Sequence, residues 1–376
     1  MNVLSIVLQL KTPYNELKGV IFMKKVRIGI VGVGNIAINW AHYPQYKKVE
    51  NCEITAICDI DEAKLKKVGD DINIPEKNRF TDYNDLIKCA DVDAVDICTW
   101  NSVHCEIATA AAKAGKGFSI EKPVGMNYRE VKKLSEVVKE NGVKTFVCLS
   151  WRYRTYVRYM KHLIDSGKIG NLYHVYIRCI KDSGLWEGRK REWRFDRVRA
   201  GSGVLGDLGS HMIDTVHFLG EKFTEVYANW GIFIKERPSE ETGETLPVDT
   251  DDWCNFNAKL ESGASCTIQV SRCATTVSDL IVFEFYGEKG KLVYTCTPDG
   301  QKLEYADAKT KENEFLTPPA EFEAIQSGSF VNCLLGIEDE YTAKLEHGLE
   351  CQAVIDAAII SCEENRPVKI SEIKEG

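Results

Sequence analysis

The chain has 376 residues, a formal net charge of −8 and 14 cysteines. That length exceeds one ordinary core and suits two domains, each burying enough apolar surface to stand alone. The acidic balance leaves no basic stripe to neutralise phosphates, so a nucleic-acid partner is excluded, and no apolar run approaches the roughly 20 residues of a membrane span.

In chain order, an apolar run from Val3 to Leu8 comes first. No basic segment precedes it, and Lys11, Glu16 and Lys18 interrupt it before any small-residue cleavage site, so it is a poor secretion signal. Met23 directly precedes the first convincing strand; residues 1–22 are expected to be an N-terminal extension and Met23 the natural start. The cysteines sit singly in apolar runs such as Ile57-Cys58, with no CxxC pair. They read as small buried hydrophobes of a cytoplasmic protein, not as zinc ligands, and no metal is expected.

From Lys25, short apolar runs alternate with amphipathic stretches, which predicts βαβ units and a parallel sheet. Strands are expected at Val26 to Val31, Ile54 to Cys58, Ala94 to Cys98, Phe118 to Ile120 and Thr145 to Leu149. Helices fall between them at Asn35 to Tyr43, Glu62 to Asp70, His104 to Ala114 and Arg129 to Glu140. After about Ser150 a helix from Val157 to Asp165 leads into β-type runs: Leu172 to Ile180, Glu225 to Ile234, Trp253 to Leu260, Ala264 to Ser271, Leu280 to Tyr286 and Gly290 to Tyr294. Turns such as Glu261-Ser262-Gly263 bound them, the pattern of antiparallel hairpins. The polar segment Glu236 to Thr250 reads as a mobile surface loop, and a helix from Leu349 to Glu364 nearly closes the chain. The fold class is therefore α/β plus α+β, with a dinucleotide-binding domain over residues 23–150 and a substrate-binding domain over 151–376.

The chemistry begins at Gly32-Val33-Gly34-Asn35-Ile36-Ala37, a GxGxxA turn between the first strand and the first helix. Gly32 permits the tight turn, Gly34 lets the backbone approach a pyrophosphate, and the phosphates sit at the helix N-terminus beside Asn35 and Ile36. Asp59 ends the second strand, where a Rossmann fold places the acid that binds the adenosine ribose hydroxyls. A carboxylate there repels a 2′-phosphate, so NAD is favoured over NADP; the competing reading makes Asp59 a helix cap, a job for which Asp61 is better placed. Thr99, Trp100, Asn101 and His104 follow the third strand, and Glu121-Lys122-Pro123 the fourth, at the strand ends where open α/β sheets bind ligands. There Lys122 stands beside the cofactor, placed to hold a substrate hydroxyl and join a proton relay. In the glycine-rich run from Gly201, Asp207, His211 and Asp214 share one face if a helix begins near Asp207. Histidine suits alcohol oxidation, in which a base takes the hydroxyl proton as hydride leaves the carbon, and a neighbouring carboxylate orients it. The alternative is a capping and packing pair.

These elements together resemble the glucose-fructose oxidoreductase / inositol dehydrogenase family, the group called Gfo/Idh/MocA. The similarity runs from about Met23 to the C-terminus and is carried by the GxGxxA turn, Asn101 to His104, Glu121-Lys122-Pro123 and Asp207 to Asp214. The resemblance implies a Rossmann domain followed by a predominantly antiparallel open sheet whose exposed face builds a homo-oligomer, a dimer or tetramer. It also implies Lys122 as the active-site lysine, Asp207 as the carboxylate and His211 as the acid/base, with Trp193, Arg194, Arg152 and Tyr153 at substrate-side positions. Family members often carry proline at the position of Trp100, so the pocket is expected to differ there.

The leading expectation is NAD-dependent oxidation of a secondary alcohol of a sugar, glycoside (for example at C3 of a glucoside) or inositol. The alternatives are a redox-neutral glycosidase or lyase, or a sugar–sugar transhydrogenase, that retains its cofactor, and a non-enzymatic NAD(H)-binding sensor.

Overall fold

The computed structural model describes residues 25–337 and 340–375; the expected extension and Met23 lie outside the described residues. Six strands form the first sheet: β1 (Val26–Val31), β2 (Cys52–Cys58), β3 (Arg79–Phe80), β4 (Ala94–Ile97), β5 (Gly117–Ile120) and β6 (Thr145–Val147). All pairs are parallel and the order is β3-β2-β1-β4-β5-β6, so the winding reverses between β1 and β4, where doubly wound sheets open a ligand crevice. Helices cover both faces, which is why Ile28, Ile30, Val95, Ile97, Phe118 and Ile120 are wholly buried and the strands carry no polar alternation.

The flanking helices match their local signals. Glu62–Asp71 is capped by Asp61, whose carboxylate accepts from Lys64 N at 3.0 Å. Tyr128–Asn141 is capped by Asn127 and stops at Gly142, which takes φ +63°. The expected single helix from Asn35 to Tyr43 is instead split. A wide π-turn over Ile36–Trp40 ends at Ala41 (φ −131°, ψ −72°), and a short helix, His42–Tyr46, follows. The break rotates His42 into the interior, where it is buried.

The second sheet has nine strands, ordered β16-β15-β14-β13-β7-β12-β11-β8-β17. They are β7 (Leu172–Ile180), β8 (Phe223–Gly231), β11 (Trp253–Leu260), β12 (Ser265–Ser271), β13 (Leu280–Gly287), β14 (Gly290–Thr297), β15 (Gly300–Asp307), β16 (Asn313–Leu316) and β17 (Val368–Lys369). The sheet is antiparallel except where β12 runs parallel to β7. Side chains alternate cleanly: Cys254, Phe256, Ala258 and Leu260 of β11 are buried while Asn255, Asn257 and Lys259 are exposed. The buried face packs with residues of the helices Thr155–Asp165, Ser210–Leu219 and Leu345–Glu364 in one core.

The segment expected to be a mobile loop holds the hairpin β9 (Glu236–Pro238) and β10 (Thr245–Pro247), and its Arg237, Ser239 and Thr250 are buried. The first domain also draws on later chain. Phe330 and Val331 join the cluster of Val26, Ile28 and Phe146, and Ala343 and Leu345 join that of Ile97, Phe118 and Val147. Val147 N donates to Ala343 O at 2.8 Å. No helix among the described residues is long and apolar enough to cross a membrane.

Candidate active site

The glycine turn after β1 is built for close approach. Gly32 takes φ +90°, and a Cβ there would stand 2.6 Å from Cys98 O. Around Gly34 a Cβ would meet nothing within 4 Å, so the backbone faces open space. Asn35 and Ile36 open the π-turn that follows, with Ala37 buried against the sheet. Asp59 braces this turn: its carboxylate accepts from Val33 N at 2.9 Å and from Asp61 N at 3.0 Å. The helix cap belongs to Asp61 instead. A cradle open at Gly34, bordered by peptide N–H groups and an acid at the end of β2, fits a dinucleotide's pyrophosphate and ribose.

The loop after β4 lies on the other side of the crevice. The Arg199 guanidinium stacks over the Trp100 indole at 4.5 Å and meets Glu241, in the β9–β10 hairpin turn, at 2.6 Å. One indole face is thus covered by protein. Thr99 Oγ1 approaches the Trp100 carbonyl at 3.4 Å. Asn101 donates to Ala200 O at 2.9 Å across the two domains. His104 is buried, with Nδ1 2.9 Å from Pro123 O and Nε2 3.1 Å from Thr99 O. Its ring therefore ties the loop after β4 to the loop after β5, and burial lowers its proton affinity despite those contacts. Asn101 and His104, expected at the cofactor, direct their polar atoms to backbone.

After β5, Glu121 and Lys122 reach the same crevice. Lys122 Nζ donates to Asp207 twice, to Oδ1 at 2.7 Å and to the carbonyl at 2.8 Å. Asp207 comes from the glycine-rich run, where a π-turn over Leu205–Gly209 leads into the helix Ser210–Leu219. This run is held from below by Asp251, whose carboxylate accepts from Gly203 N and Leu205 N. Burial alone would raise the Asp207 carboxyl, but the Lys122 and Arg194 charges and the Lys122 hydrogen bond hold it well below the usual carboxylate range. Its side chain keeps 41% of its surface exposed, so this anion is reachable. His211, one turn on, is pushed down to about 3 by burial and by the Lys122 charge, against the pull of Glu121 and Asp207. It is a neutral imidazole whose Nδ1 has no hydrogen-bond partner among the described residues.

The expected face of Asp207, His211 and Asp214 is broken by the wide turn. Asp214 points inward, buried, and is bonded by Arg152 through three contacts of 2.6 to 3.0 Å. Asp214 is therefore engaged by Arg152, and Arg152, expected at a substrate-side position, is buried with its guanidinium committed to that pair. Tyr153 is likewise interior: its hydroxyl accepts from Ala343 N at 3.0 Å and its ring lies 5.6 Å from Phe146. Arg194 lies within electrostatic reach of Asp207, and its guanidinium stacks on the Trp193 ring at 4.5 Å.

Three residues without a sequence motif join the site. Lys181 adds a charge that acts on His211. Beneath Glu121, His42 and Asp96 form a buried polar chain, with His42 Nε2 2.8 Å from Glu121 Oε1 and His42 Nδ1 2.7 Å from Asp96 Oδ2. The one polar residue in the apolar run of β4, Asp96, was the available signal.

Residues 26–149 match the oxidoreductase family with an NAD-binding Rossmann fold, and residues 157–293 match the GFO/IDH/MocA C-terminal domain. The chain belongs to the Gfo/Idh/MocA family. Among its relatives, levoglucosan dehydrogenase of Pseudarthrobacter phenanthrenivorans is 31% identical over 230 residues, 58% of this chain and 59% of that protein. The match thus spans less than two thirds of that relative's length. Myo-inositol 2-dehydrogenase of Thermotoga maritima is 28% identical, covering 71% of this chain and 74% of the relative. A levoglucosan dehydrogenase solved with NADH and L-sorbose superposes with a TM-score of 0.82 at 25% identity, over 93% of this chain and 99% of that one. The NAD-binding Rossmann domain and the mostly antiparallel second sheet are those of the family.

Proposed function

We propose that this chain oxidises a secondary alcohol of a neutral sugar, glycoside or cyclitol with NAD+, His211 taking the hydroxyl proton with the help of Lys122 and Asp207. The observation that carries the reading is the Lys122–Asp207 clamp beside a neutral, buried His211, at the strand ends that flank the glycine turn. Gly32, Gly34, Asn35 and Ile36 hold the pyrophosphate and Asp59 the adenosine ribose; Thr99, Trp100 and Glu121 border the nicotinamide. Bound NAD+ supplies the hydride acceptor. Lys122, fixed by Asp207, donates to the substrate oxygen and stabilises negative charge as the proton departs. His211 starts in the form that accepts a proton, and Trp193 and Arg194 orient the ring.

Neutrality of the substrate is supported by the charges around the cleft. Lys122 is matched by Asp207 at 2.7 Å, Arg194 by Glu192 at 3.4 Å and Lys181 by Asp279 at 3.6 Å. Glu192 also pairs with Arg189 at 2.8 Å, so Arg194 shares its anion, whereas Lys122 and Lys181 each have their own. Two relatives are named for the uncharged substrates levoglucosan and inositol and a third for glucose 6-phosphate, which makes the sugar phosphates the deciding contrast below.

The test is a panel of neutral sugars, glycosides, anhydrosugars and inositols, with sugar phosphates as the contrast, read at the nicotinamide absorbance and by product analysis. Net NADH formation with a neutral polyol is expected, and NADP+ is expected to be the poorer acceptor. Product without net NADH points to the redox-neutral glycosidase, lyase or transhydrogenase chemistry, and NADH binding with no product at all to a sensor.

A further inference from the structure

We propose that His42 is a positioning residue of the active site: a buried imidazolium, bonded through one nitrogen to Asp96 and through the other to Glu121, that fixes Glu121 as a permanent negative charge beside Lys122 and His211. The two contacts admit a neutral ring beside one protonated acid or an imidazolium between two carboxylates, and the second is the state we assign. Asp96 and Glu121 each present a carboxylate oxygen to a ring nitrogen, at 2.7 and 2.8 Å, and an imidazole donates from both nitrogens only when it is protonated. Asp96 is further marked as an acceptor by Tyr46, whose hydroxyl donates to the same oxygen at 3.0 Å. With Asp96 wholly buried and His42 at 2% exposure, water cannot stand in for either partner, and a buried charge persists only when paired.

The other groups facing the ring do not change this balance. The Cys98 Sγ lies 3.6 Å from Nδ1 and Cys148 lies close by, and burial pushes both thiols up, Cys98 to about 12, so neither carries charge near neutral pH. Burial and Asp96 also raise the Tyr46 hydroxyl. His42, Asp96 and Cys148 have the spacing of metal ligands, within 4.8 Å of one another, yet both nitrogens of His42 are already engaged.

Two carboxylates and one imidazolium sum to one negative charge, and only Glu121 brings it to the crevice. There its second oxygen is held by Lys122 N at 3.1 Å, so neither oxygen is free to swing. Burial would raise the Glu121 carboxyl, but the His42 hydrogen bond and charge, with Lys122 and His211, bring it down to about 2. The chain does not conduct protons to solvent. Its far end is Asp96 in the core, with Oδ1 unpartnered among the described residues. What it delivers is a fixed field at the reacting groups, of the preorganised kind that costs nothing to reorganise during the reaction.

The charge of His42 stands whatever reaction the site performs; the kinetic arm of the test rests on the dehydrogenase reading. Long-range proton–nitrogen NMR of the full chain with labelled histidine is expected to show one ring still doubly protonated above the ordinary histidine value of 6.5. Its signals disappear in His42→Gln, and in Glu121→Gln the ring loses its second proton at lower pH. A neutral tautomer for His42 at neutral pH in the parent overturns the proposal. Per NADH-binding site, His42→Gln is expected to lower kcat about tenfold or more, as for residues that orient a functional ligand from behind, with KM for the polyol little changed. Glu121→Gln removes a negative charge that raises the proton affinity of His211 while leaving Asp207 and Lys181 in place, so the limb of the kcat/KM profile set by His211 moves to lower pH. A lower Tm with kcat per site and pH profile unmoved reduces His42 to packing and overturns the proposal. A parent that binds NADH but turns over no polyol defeats the dehydrogenase reading alone, and the NMR arm still decides His42.

Discussion

Lys122 is gripped by both the carboxylate and the carbonyl of Asp207, so its ammonium has a fixed direction that a solvated lysine lacks. Lys122→Met keeps length and apolar stem while removing the donor. It is expected to lower kcat about 100-fold or more, the scale of proton-transfer assistance, with NADH affinity retained by titration calorimetry. Histidines also set the acid stability. His211 and His217 are held at about 3, and His347 at about 4, all chiefly by burial, against 6.5 in a free chain. The unfolded state therefore binds more protons than the folded one between about pH 6.5 and about pH 4, and stability falls as pH drops through that window. His42 has the opposite sign: its proton affinity is raised, so its contribution is present below 6.5 and is lost as pH climbs through the folded value. Urea midpoints are expected to peak near pH 6.5 and to fall on both sides, and His42→Gln lessens the decline that sets in directly above pH 6.5, leaving the one that the buried thiols add above pH 9. At this scale the sequence exposed what is local: Gly32, Lys122, Asp207 and His211 each sit in a short run with a recognisable spacing. His42 and Asp96 stand 54 residues apart and His42 and Glu121 79 apart, so no window along the chain joins them. Arg152 misled for the same reason, since its partner Asp214 is 62 residues away.

Two of the elements that form the crevice begin with a π-turn, Ile36–Trp40 and Leu205–Gly209. Such wide turns recur at functional sites because they change which face a helix presents. Their period differs from 3.6, so the expected continuous helix from Asn35 and the shared face of Asp207 and Asp214 both failed here, while the regular helices and the alternating strands β7 and β11 were legible from their period. The hairpin β9–β10 escaped because its strands have three residues each, too few for an alternation to show. Glycines in the two turn regions separate approach from packing. Gly34→Ala adds a methyl to open space, so Tm is expected to hold within about 2 °C while NADH affinity falls about tenfold or more, the methyl standing where the pyrophosphate approaches. Gly203→Ala places its methyl 2.0 Å from Asp251 O. That backbone clash forces the run carrying Asp207 to shift, and both thermal stability and kcat are expected to fall; calorimetry and steady-state kinetics on the two variants read the contrast.

The open face of the nine-stranded sheet carries Tyr173, Tyr176 and Tyr227 in the exposed positions of β7 and β8. Nine strands at about 4.8 Å spacing and seven residues at about 3.3 Å give a face of about 1,000 Å², enough for the roughly 800 Å² per partner of a stable interface. The homo-oligomer proposed from the family resemblance fits this face, and Tyr176→Asp at its middle is expected to shift the sedimentation coefficient toward the monomer. Sheet composition was legible from the alternation, whereas the parallel join of β7 to β12 was not, because pairing across the 84 residues between them leaves no local mark. The return of the chain into the first domain was equally hidden, and it has a consequence during synthesis. Phe330, Val331, Ala343 and Leu345 complete the packing around β1, β5 and β6, yet they leave the ribosome almost 200 residues after β6. At about 5–20 residues per second the nascent nucleotide-binding half waits roughly 10–40 s with an apolar flank uncovered. Chaperone capture in that interval, and poor yield of any chimera that exchanges only the sequence after residue 150, follow from where those four side chains come from.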